Sequence, residues 1–400
     1  MTEPADASTK VTLVQIIALS VLVMVAFGTL FYAYSIFITK EAAGAEYSIS
    51  LLSVAWTGAI LVGGAFAFFV GRHADQHGVR GIMGLGTIVG AAGLVLLGAS
   101  QTGWQLVLVS WLLIGPAGAM TFYEPAFIAV DQWFGLAGST RSLALLTVIG
   151  GLAGPIFIPL TGVLTVTLGW RWAAVILGSI LLVVGLVATV FVFPAHMGER
   201  HERDGVAPHL GIAALFRDRR FAFFTAATLL TFMAVEAVIF HRIAVFEQAG
   251  LAITVVAWWA AVSGLMSLPG RLIAPYLSNR IRPVLVAAAV TLVMGAATAF
   301  AAAAMAQWQM GAHFVLFGLA FGAATPMRAV VMSRWYSGRR YGRIMGIQWT
   351  IVAMIAAAGP LMVGLLRDGT GSYSLPMALT AGLFVAAAVL TAASEPSPAN

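Results

Sequence analysis

The feature that most constrains this chain is a succession of apolar segments, each about as long as a helix that crosses a bilayer. Such a helix needs roughly 20 mainly apolar residues, and the sequence contains twelve segments of this kind. They cover residues 11–38, 48–70, 81–100, 104–130, 142–167, 172–193, 221–246, 253–277, 284–306, 310–333, 344–366 and 374–393. We therefore predict an all-α integral membrane protein with twelve transmembrane helices.

The composition agrees with this fold class. Of the 400 residues, 60% are hydrophobic and 9% are charged, whereas an ordinary soluble domain has roughly 25% charged residues. The net charge of +6 does not indicate a nucleic-acid partner, because the basic residues fall in short segments between apolar runs. The first apolar run is too long for a signal-peptide core and lacks an evident cleavage site, so we expect it to remain as the first span.

The longest polar interruption divides the twelve spans into two groups of six. We predict an N-terminal six-helix half at residues 1–193, a cytoplasmic central loop at 194–220 and a C-terminal six-helix half at 221–400. A short pattern recurs in both halves and indicates pseudo-symmetry. It consists of an aromatic pair, an arginine and a Gly-Pro pair: Trp133-Phe134, Arg141 and Gly154-Pro155, then Trp335-Tyr336, Arg343 and Gly359-Pro360.

The positions of the basic residues predict the orientation. If the N-terminus is cytoplasmic, most of the 21 lysines and arginines lie on the cytoplasmic side, and Lys40, Arg171, Arg242 and Arg367 fall on the outer side. Short cytoplasmic loops are enriched in Lys and Arg. We therefore expect both termini to be cytoplasmic, in a multi-pass protein of a prokaryotic inner membrane.

One stretch between the second and third spans carries a recognisable motif, Gly71-Arg72-His73-Ala74-Asp75-Gln76-His77-Gly78-Val79-Arg80. Its glycines supply the backbone freedom of a tight reversal, so we expect a loop that faces water. The stretch resembles the G-x-x-x-D-x-x-G-x-R loop of the major facilitator superfamily, with His73 in place of the usual apolar residue. Together with the repeated halves, this resemblance covers the full chain and implies two halves that rock around a central site.

The resemblance also implies a set of gating residues. Asp75 is expected to be attracted to the positive N-terminal end of a helix from the other half, near residues 342–343 of span 11. The residues expected to take part in gating are Asp75, Gly71, Gly78, Arg80, Arg141, Arg328 and Arg343.

Four ionisable residues fall inside spans, namely Glu124, Glu236, Arg271 and Arg328. Each costs at least a few kcal/mol near the bilayer centre and usually marks a pathway or a partner. Glu236 is the deepest; it can carry a proton, pair with an intramembrane arginine, or stay neutral and bonded to a neighbouring helix. Glu124, which precedes Pro125, can carry a proton or form a structural salt bridge. We predict that both glutamates take part in proton coupling.

The two arginines each have two interpretations. A guanidinium offers a fork of donors that matches a carboxylate, which makes Arg271 a candidate for an anionic substrate. Alternatively, Arg271 reaches the cytoplasmic headgroups and closes a gate. Arg328, six residues before Arg334, has the same alternatives, and we favour a gate or an ion pair there.

Span 8 resembles that of the monocarboxylate transporters and their bacterial relatives, including the oxalate–formate antiporter group. Gly270-Arg271 followed by residues 274–282 is similar to the segment whose arginine holds the carboxylate substrate in that family. Tyr123-Glu124-Pro125 is similar to a segment of the family's span 4. The resemblance implies that Arg271 binds substrate. The family's acid one turn earlier falls at Ser267, so Glu236 is the proton site that we predict instead.

Aromatic residues complete the predicted site. Tyr32, Tyr34 and Tyr123 can line a cavity, where their hydroxyls fix the orientation of a substrate. The alternative is ordinary packing or contact with lipid, because aromatic residues are common in spans.

These observations predict a secondary transporter of a small organic anion, a monocarboxylate by resemblance, that is coupled to protons and acts as a monomer in the lipid bilayer. We expect no enzyme activity, cofactor or metal site, because the chain lacks a G-x-x-x-x-G-K-[ST] motif and its seven histidines have no metal-ligand spacing. The alternative is a proton-coupled exporter of hydrophobic or cationic compounds. A membrane sensor or assembly protein is a third class, which the lack of an appended soluble domain disfavours.

Overall fold

The computed structural model describes residues 5–194, 212–303, 306–336 and 341–395. The side chains it leaves undescribed there are those of residues 5–12, 68, 75, 131, 134–141, 143, 144, 212–214, 333, 341–343, 345 and 346. Within the described ranges all regular elements are helical, and 12 segments are long and apolar enough to cross a membrane. The predicted all-α fold with twelve spans is confirmed.

We number these segments spans 1–12. Spans 1–6 are Leu13–Phe37, Ile49–Ala74, Val79–Ala99, Gly103–Val130, Leu145–Leu168 and Trp170–Val192. Spans 7–12 are Arg219–Gln248, Ile253–Leu277, Pro283–Ala302, Gln307–Met332, Ile347–Thr370 and Ser374–Ala393. Each overlaps the apolar run that predicted it. An apolar run of this length becomes a helix because only a helix satisfies all backbone N–H and C=O groups within one segment in hydrocarbon.

Several spans contain more than one type of helix. The elements that contain span 1 are the helix Ala5–Phe27, the π-helical segment Gly28–Tyr32 and the helix Tyr34–Phe37. Span 4 begins with the helix Gly103–Val109, the π segment Ser110–Ile114 and the helix Gly115–Thr121. The helix Tyr123–Gly150 contains the end of span 4 and the start of span 5, which continues in Ala153–Leu168. Span 6 consists of the helix Trp170–Leu186 and the π segment Val187–Val192. The helices of spans 2, 10 and 11 are Ile49–His77, Gln307–Trp335, and Tyr341–Ala356 with Ala358–Thr370. Shorter elements are the 3₁₀ turn Ala43–Ala45 and the helix Ile212–Arg217.

The chain divides into two compact units. The first consists of Met1–Tyr47 and Val54–Arg203, and the second of Ser48–Ser53 and Asp204–Asn400. The first turn of the span 2 helix thus belongs to the second unit, while the rest of that helix belongs to the first.

The motif between spans 2 and 3 is more helical than we expected. The helix Ile49–His77 runs through Gly71, and a side chain built at Gly71 would meet no atom within 4 Å. The expectation of a loop beginning at Gly71 is therefore wrong. The reversal depends on Gly78 alone, whose φ of 79° is the left-handed conformation that glycine adopts without strain. The next helix begins directly at Val79.

Arg80 caps the end of span 6 in the first unit. Its Nε donates to the carbonyl oxygen of Thr189 at 2.8 Å, and its Nη2 donates to that of Val190 at 2.9 Å. The last carbonyls of a helix lack partners within the helix, and a positive charge there also complements the helix dipole. In the second unit, Arg282 donates to Glu395 just beyond span 12 at 2.9 Å. The two units thus repeat an arginine contact at corresponding helix ends.

An ion pair stabilises the other end of span 6, where that helix begins. Arg171, at the start of span 6, forms a two-pronged pair with Glu46 in the preceding loop, and its Nη2 lies 2.7 Å from Oε2. Trp170 Nε1 donates to the same carboxylate at 3.1 Å. The hydrogen bonds from Arg171 lower the pKa of Glu46. The pair attaches the loop after span 1 to span 6 while Glu46 is ionised.

Spans 8 and 10 of the second unit approach each other through glycines. A Cβ added to Gly322 would lie 1.9 Å from the carbonyl oxygen of Ser267, and one added to Gly318 would lie 2.1 Å from that of Ser263. Gly270 faces the carbonyl oxygen of Leu319 in the same way, at 1.9 Å. Membrane helices pack closely where small residues allow their backbones to meet.

Spans 2 and 4 of the first unit use the same device. A Cβ at Gly115 would lie 2.4 Å from the carbonyl oxygen of Ala59, and one at Gly63 would lie 2.7 Å from that of Gly115. Because spans 2 and 4 occupy the same order in their unit as spans 8 and 10 in theirs, the internal repeat extends to helix packing.

We predict that Gly322→Ala destabilises the protein by about 1–3 kcal/mol, the usual cost of forcing a methyl group into a filled interface. The melting temperature of the purified protein in detergent measures this loss. Gly382→Ala in span 12 is the matched control, because a Cβ at Gly382 meets no atom within 4 Å. Alanine there should be neutral or stabilising by up to about 1 kcal/mol through its helix propensity. Equal melting temperatures for Gly322→Ala and the unmodified protein would contradict the prediction.

Candidate functional site

Arg328 in span 10 is the best-positioned buried cation of the second unit. Its residue is 9% exposed, and its Nε donates to Oε1 of Gln348 in span 11 at 2.8 Å. Gln348 is fully buried and donates from Nε2 to Oγ1 of Thr225 in span 7 at 3.3 Å. The guanidinium carbon lies 4.9 Å from the ring centre of Trp349, a distance at which a cation is attracted to the π face.

A small cavity lies beside Arg328 within the second unit. It has a volume of about 30 Å³, and its lining includes Arg328 and the threonines Thr228, Thr231, Thr291 and Thr391. Each of these hydroxyls donates to the carbonyl oxygen four residues earlier, at 2.7 to 3.0 Å. The threonine oxygens can therefore only accept further hydrogen bonds. A space of this size accommodates about one water molecule.

Glu236 lies in the interior of the span 7 helix, Arg219–Gln248. Its Oε2 is buried and has no hydrogen-bond partner among the described residues. A buried carboxyl oxygen without a partner is costly, so such a group is either protonated or awaits a ligand. As predicted, Glu236 lies in span 7, far from both ends of the helix.

Arg271 occupies a different kind of position. It follows Gly270, which packs against Leu319 of span 10, and it lies between Pro269 and Pro275 of the span 8 helix. Its side chain is half-buried, and among the described residues it makes no hydrogen bond or ion pair. Arg271 is therefore not positioned by neighbours in the way that Arg328 is.

The sequence analysis missed a third arginine of the second unit. Arg242, which we counted among the basic residues of the outer side, lies within the span 7 helix and is 5% exposed. Its Nη1 donates to Ser263 Oγ in span 8 at 3.1 Å, and its guanidinium carbon lies 5.2 Å from the ring centre of Phe314. Its place inside the apolar run 221–246 was the available signal.

His241, the residue before Arg242, is fully buried. Its Nε2 lies 2.9 Å from the carbonyl oxygen of Pro360 in span 11, and its Nδ1 lies 3.3 Å from the hydroxyl of Tyr373. The contact with a carbonyl requires a proton on Nε2, so Nδ1 is the acceptor in the neutral ring. This histidine joins span 7 to span 11 and to the turn before span 12.

The predicted tyrosines of the first unit lie in aromatic clusters. The hydroxyl of Tyr34 is 2.6 Å from Ser110 Oγ, and its residue is 5% exposed. Tyr32 packs edge-on against Phe31, with ring centres 5.2 Å apart, and Tyr123 lies 5.0 Å from Phe27. Tyr34 therefore has a structural partner, and the substrate role of all three tyrosines stays a prediction.

Glu124 is exposed in the first turn of the helix Tyr123–Gly150. It makes no ion pair among the described residues. The helix restarts there because Phe122 adopts an extended conformation, with ψ of −158°. A carboxylate in the first turn is stabilised by the helix dipole, which gives Glu124 a structural role beside the predicted proton coupling.

The predicted gating residues are only partly within the described side chains. Gly71 is helical, Gly78 makes the turn and Arg80 caps span 6, as described above. The side chains of Asp75, Arg141 and Arg343 lie outside the described residues. The gating roles of this set stay predictions.

Solved structures of transporters share this fold. A bacterial homologue of the human lysosomal transporter Spinster, in an inward-facing and occupied conformation, matches with a TM-score of 0.74 and 14% identity over 98% of this chain and 97% of that one. The nucleoside transporter NupG matches with a TM-score of 0.76 and 14% identity over 95% of this chain and 98% of that one. At these identities the similarity shows the fold.

Curated relatives are fungal transporters. The MFS-type transporter pynF of Aspergillus niger is 25% identical over 237 residues, which are 57% of this chain and 52% of the relative. The MFS-type transporter dbaD of Emericella nidulans is 28% identical over 217 residues, 52% of this chain and 46% of the relative. The chain thus spans about half the length of the curated relatives that it matches.

The family model described as Major Facilitator Superfamily matches residues 16–317, well over half of the chain. The match agrees with the twelve apolar helices of a multi-pass membrane protein. The chain belongs to the Major Facilitator Superfamily.

Proposed function

We propose that the protein is a proton-coupled carrier of a small organic anion. The observation that carries this proposal is Arg328, a buried guanidinium oriented by Gln348 and lying over the face of Trp349. A cation inside a span costs several kcal/mol, so its retention in an oriented position favours a functional role. The partner that best matches a guanidinium is a carboxylate, through two parallel hydrogen bonds.

Two arginines are candidates for the anion contact. Arg328 donates from Nε to the side-chain amide oxygen of Gln348, a contact that orients the guanidinium. Arg271, the residue to which the monocarboxylate resemblance points, is half-buried and free of described partners, so it can move toward a ligand. We propose that a carboxylate substrate engages Arg328, with Arg271 as the second candidate.

The cavity beside Arg328 has room for about one water molecule. We propose that an organic anion binds in a conformation in which the helices around this cavity have moved. Such movement is expected of a carrier that alternates access by rocking its halves. The substrate class rests on the arginines and on the resemblance of span 8 to the monocarboxylate branch.

Glu236 is the proposed proton carrier. Its Oε2 is buried without a hydrogen-bond partner among the described residues, which favours binding of a proton over ionisation. The charge of this carboxyl changes when it binds or releases a proton. Because a charge inside a span is costly, the proton changes the free energy of the site around Glu236.

We predict that the purified protein in proteoliposomes takes up a labelled small monocarboxylate and that an inward proton gradient stimulates this uptake. Arg328→Lys keeps the charge but loses the two-pronged geometry, so the KM should rise by roughly 10- to 100-fold, the effect of losing one charge-assisted hydrogen bond. Arg271→Ala tests the second candidate in the same assay.

Arg280→Lys is the matched control, because Arg280 is exposed and contacts only Tyr276 among the described side chains. Its uptake should equal that of the unmodified protein. Uptake that is insensitive to both Arg328→Lys and Arg271→Ala would contradict the proposed anion contact. A folded protein that takes up no acid would favour the alternative, an exporter of hydrophobic or cationic compounds.

Glu236→Gln should abolish the stimulation by the proton gradient, because glutamine keeps the shape of a protonated glutamate but cannot release a proton. Exchange of substrate across the membrane without a gradient should persist. Glu247→Gln, the same change near the end of the same helix, should leave the stimulation intact. Normal gradient stimulation in Glu236→Gln would assign proton coupling elsewhere, with Glu124 as the next residue to test.

We further propose that the protein acts as a monomer. We also propose that both termini lie in the cytoplasm, as the distribution of basic residues indicates. The chain has no cysteine, so a single introduced thiol reports its own position. Gln76 and Gln101 are both exposed, at opposite ends of span 3. A membrane-impermeant maleimide applied to intact cells should label Gln101→Cys and not Gln76→Cys. The reverse pattern would invert the topology.

A further inference from the structure

Two histidines share one face at the end of the span 2 helix. His73 and His77 are both exposed, and their rings are stacked, with centres 4.6 Å apart and planes inclined by 22°. We expected a loop here and no metal-ligand spacing among the histidines, because two residues four positions apart in a loop have no fixed relation. The helix Ile49–His77 gives them one, since side chains at this separation lie on the same helix face, one turn apart.

The turn that carries the pair is anchored on its inner side. Ala74 is fully buried, and its carbonyl oxygen accepts a hydrogen bond from the N–H of Gly78 at 2.9 Å. The same oxygen accepts another from Nε2 of Gln132, in the helix Tyr123–Gly150, also at 2.9 Å. All these residues belong to the first unit. The histidines therefore extend from a backbone that its neighbours hold, and only their rotamers need to change when a ligand binds.

Two imidazoles on one helix face have the chemistry of a metal site. Imidazole suits zinc, copper and nickel, whereas magnesium and calcium prefer oxygen ligands. A Zn–N bond is about 2.0–2.1 Å long, so two nitrogens on the same ion lie within roughly 4 Å of each other. Histidines four residues apart on a helix reach this separation, as the two zinc ligands of the H-E-x-x-H motif do.

The end of a helix also favours a cation. The last carbonyl groups lack partners inside the helix, and the helix dipole places partial negative charge there. His77 is the last residue of this helix. Arg80 is engaged elsewhere, because its guanidinium donates to carbonyl oxygens at the end of span 6. Arg72 is exposed and opposes a bound cation, but salt screens a repulsion that acts through water.

We infer that His73 and His77 form a binding site for one divalent transition-metal ion of the zinc, nickel and copper class. Among the described residues, no group of three or more His, Cys, Asp or Glu side chains is placed to hold a metal. The protein therefore supplies two ligands and water supplies the others. The bound ion links two turns of the helix and stabilises the turn that precedes Gly78, within the stretch for which we predict a role in gating.

The test is a calorimetric titration of the purified protein with nickel chloride, in detergent and without a polyhistidine tag. His73→Gln and His77→Gln should each weaken binding roughly 10- to 100-fold, because the second ligand of a chelate acts at a high effective concentration. Copper should bind more tightly than nickel or zinc, and magnesium should not bind. Equal melting temperatures without metal show that the variants fold, and nickel should raise the melting temperature of the unmodified protein most.

Gln76→Ala is the matched control, because Gln76 is exposed in the same turn and has no imidazole. Its nickel affinity should equal that of the unmodified protein. His196, His201 and His209 lie outside the described residues and are present in every variant, so any binding by them cancels in the comparison. Unchanged affinity in both histidine variants would overturn the site. A loss of the same size in Gln76→Ala would also overturn it, because a disturbed helix end would then explain the loss.

Copper gives an independent spectroscopic result. The electron paramagnetic resonance of bound Cu²⁺ reports how many imidazole nitrogens lie in its equatorial plane, where copper prefers nitrogen ligands. With less than one equivalent of copper, the unmodified protein should show two such nitrogens, and His77→Gln should show one. A single nitrogen in the unmodified protein would refute a shared site. Neither measurement needs a substrate, so the proposed anion transport can fail while this inference holds, and the reverse.

Discussion

The structure depends on the need of every backbone polar group to find a hydrogen-bond partner inside its own helix, since hydrocarbon offers none. The same constraint extends to side chains. The hydroxyls of Thr228 and Thr291 donate to carbonyl oxygens one turn earlier in their helices. This return bond lets a threonine lie in a span without an outside partner. Four such threonines are among the residues that line the cavity beside Arg328.

Helices that are complete in themselves need another reason to associate. Lipid tails are as apolar as the side chains they replace, so burial alone does not draw spans together, and close packing must contribute instead. Gly318 and Gly322 bring span 10 onto span 8, and Gly115 brings span 4 onto span 2. The sequence shows the repeat of the two units only in short patterns. The helix contacts show it more clearly, because the same pair of spans packs through glycine in each unit although the neighbouring residues differ.

The fold could be predicted because apolar length is a local property, whereas the site depends on contacts between distant segments. The twelve spans follow from runs of residues that each determine their own helix. The apolar run around Arg242 could indicate its burial, but its contacts, Ser263 and Phe314, lie in other spans and could not be predicted from that run. Gln348 could not be paired with Arg328 for the same reason. Gly71 and Gly78 look equivalent in the motif, yet only Gly78 has a positive φ, since glycine permits that conformation without requiring it.

The arginines of this protein differ in what their partners leave available. Arg171 is matched by Glu46, a carboxylate that satisfies the guanidinium fork and cancels much of its charge. Arg328 donates to the neutral amide of Gln348, and Arg242 donates to the hydroxyl of Ser263. A substrate carboxylate would have to displace Glu46 to bind Arg171, whereas at Arg328 it would add to the amide contact. Arg171 therefore serves the architecture of the first unit, and the anion contact proposed at Arg328 rests on the burial of that residue and on its place over Trp349.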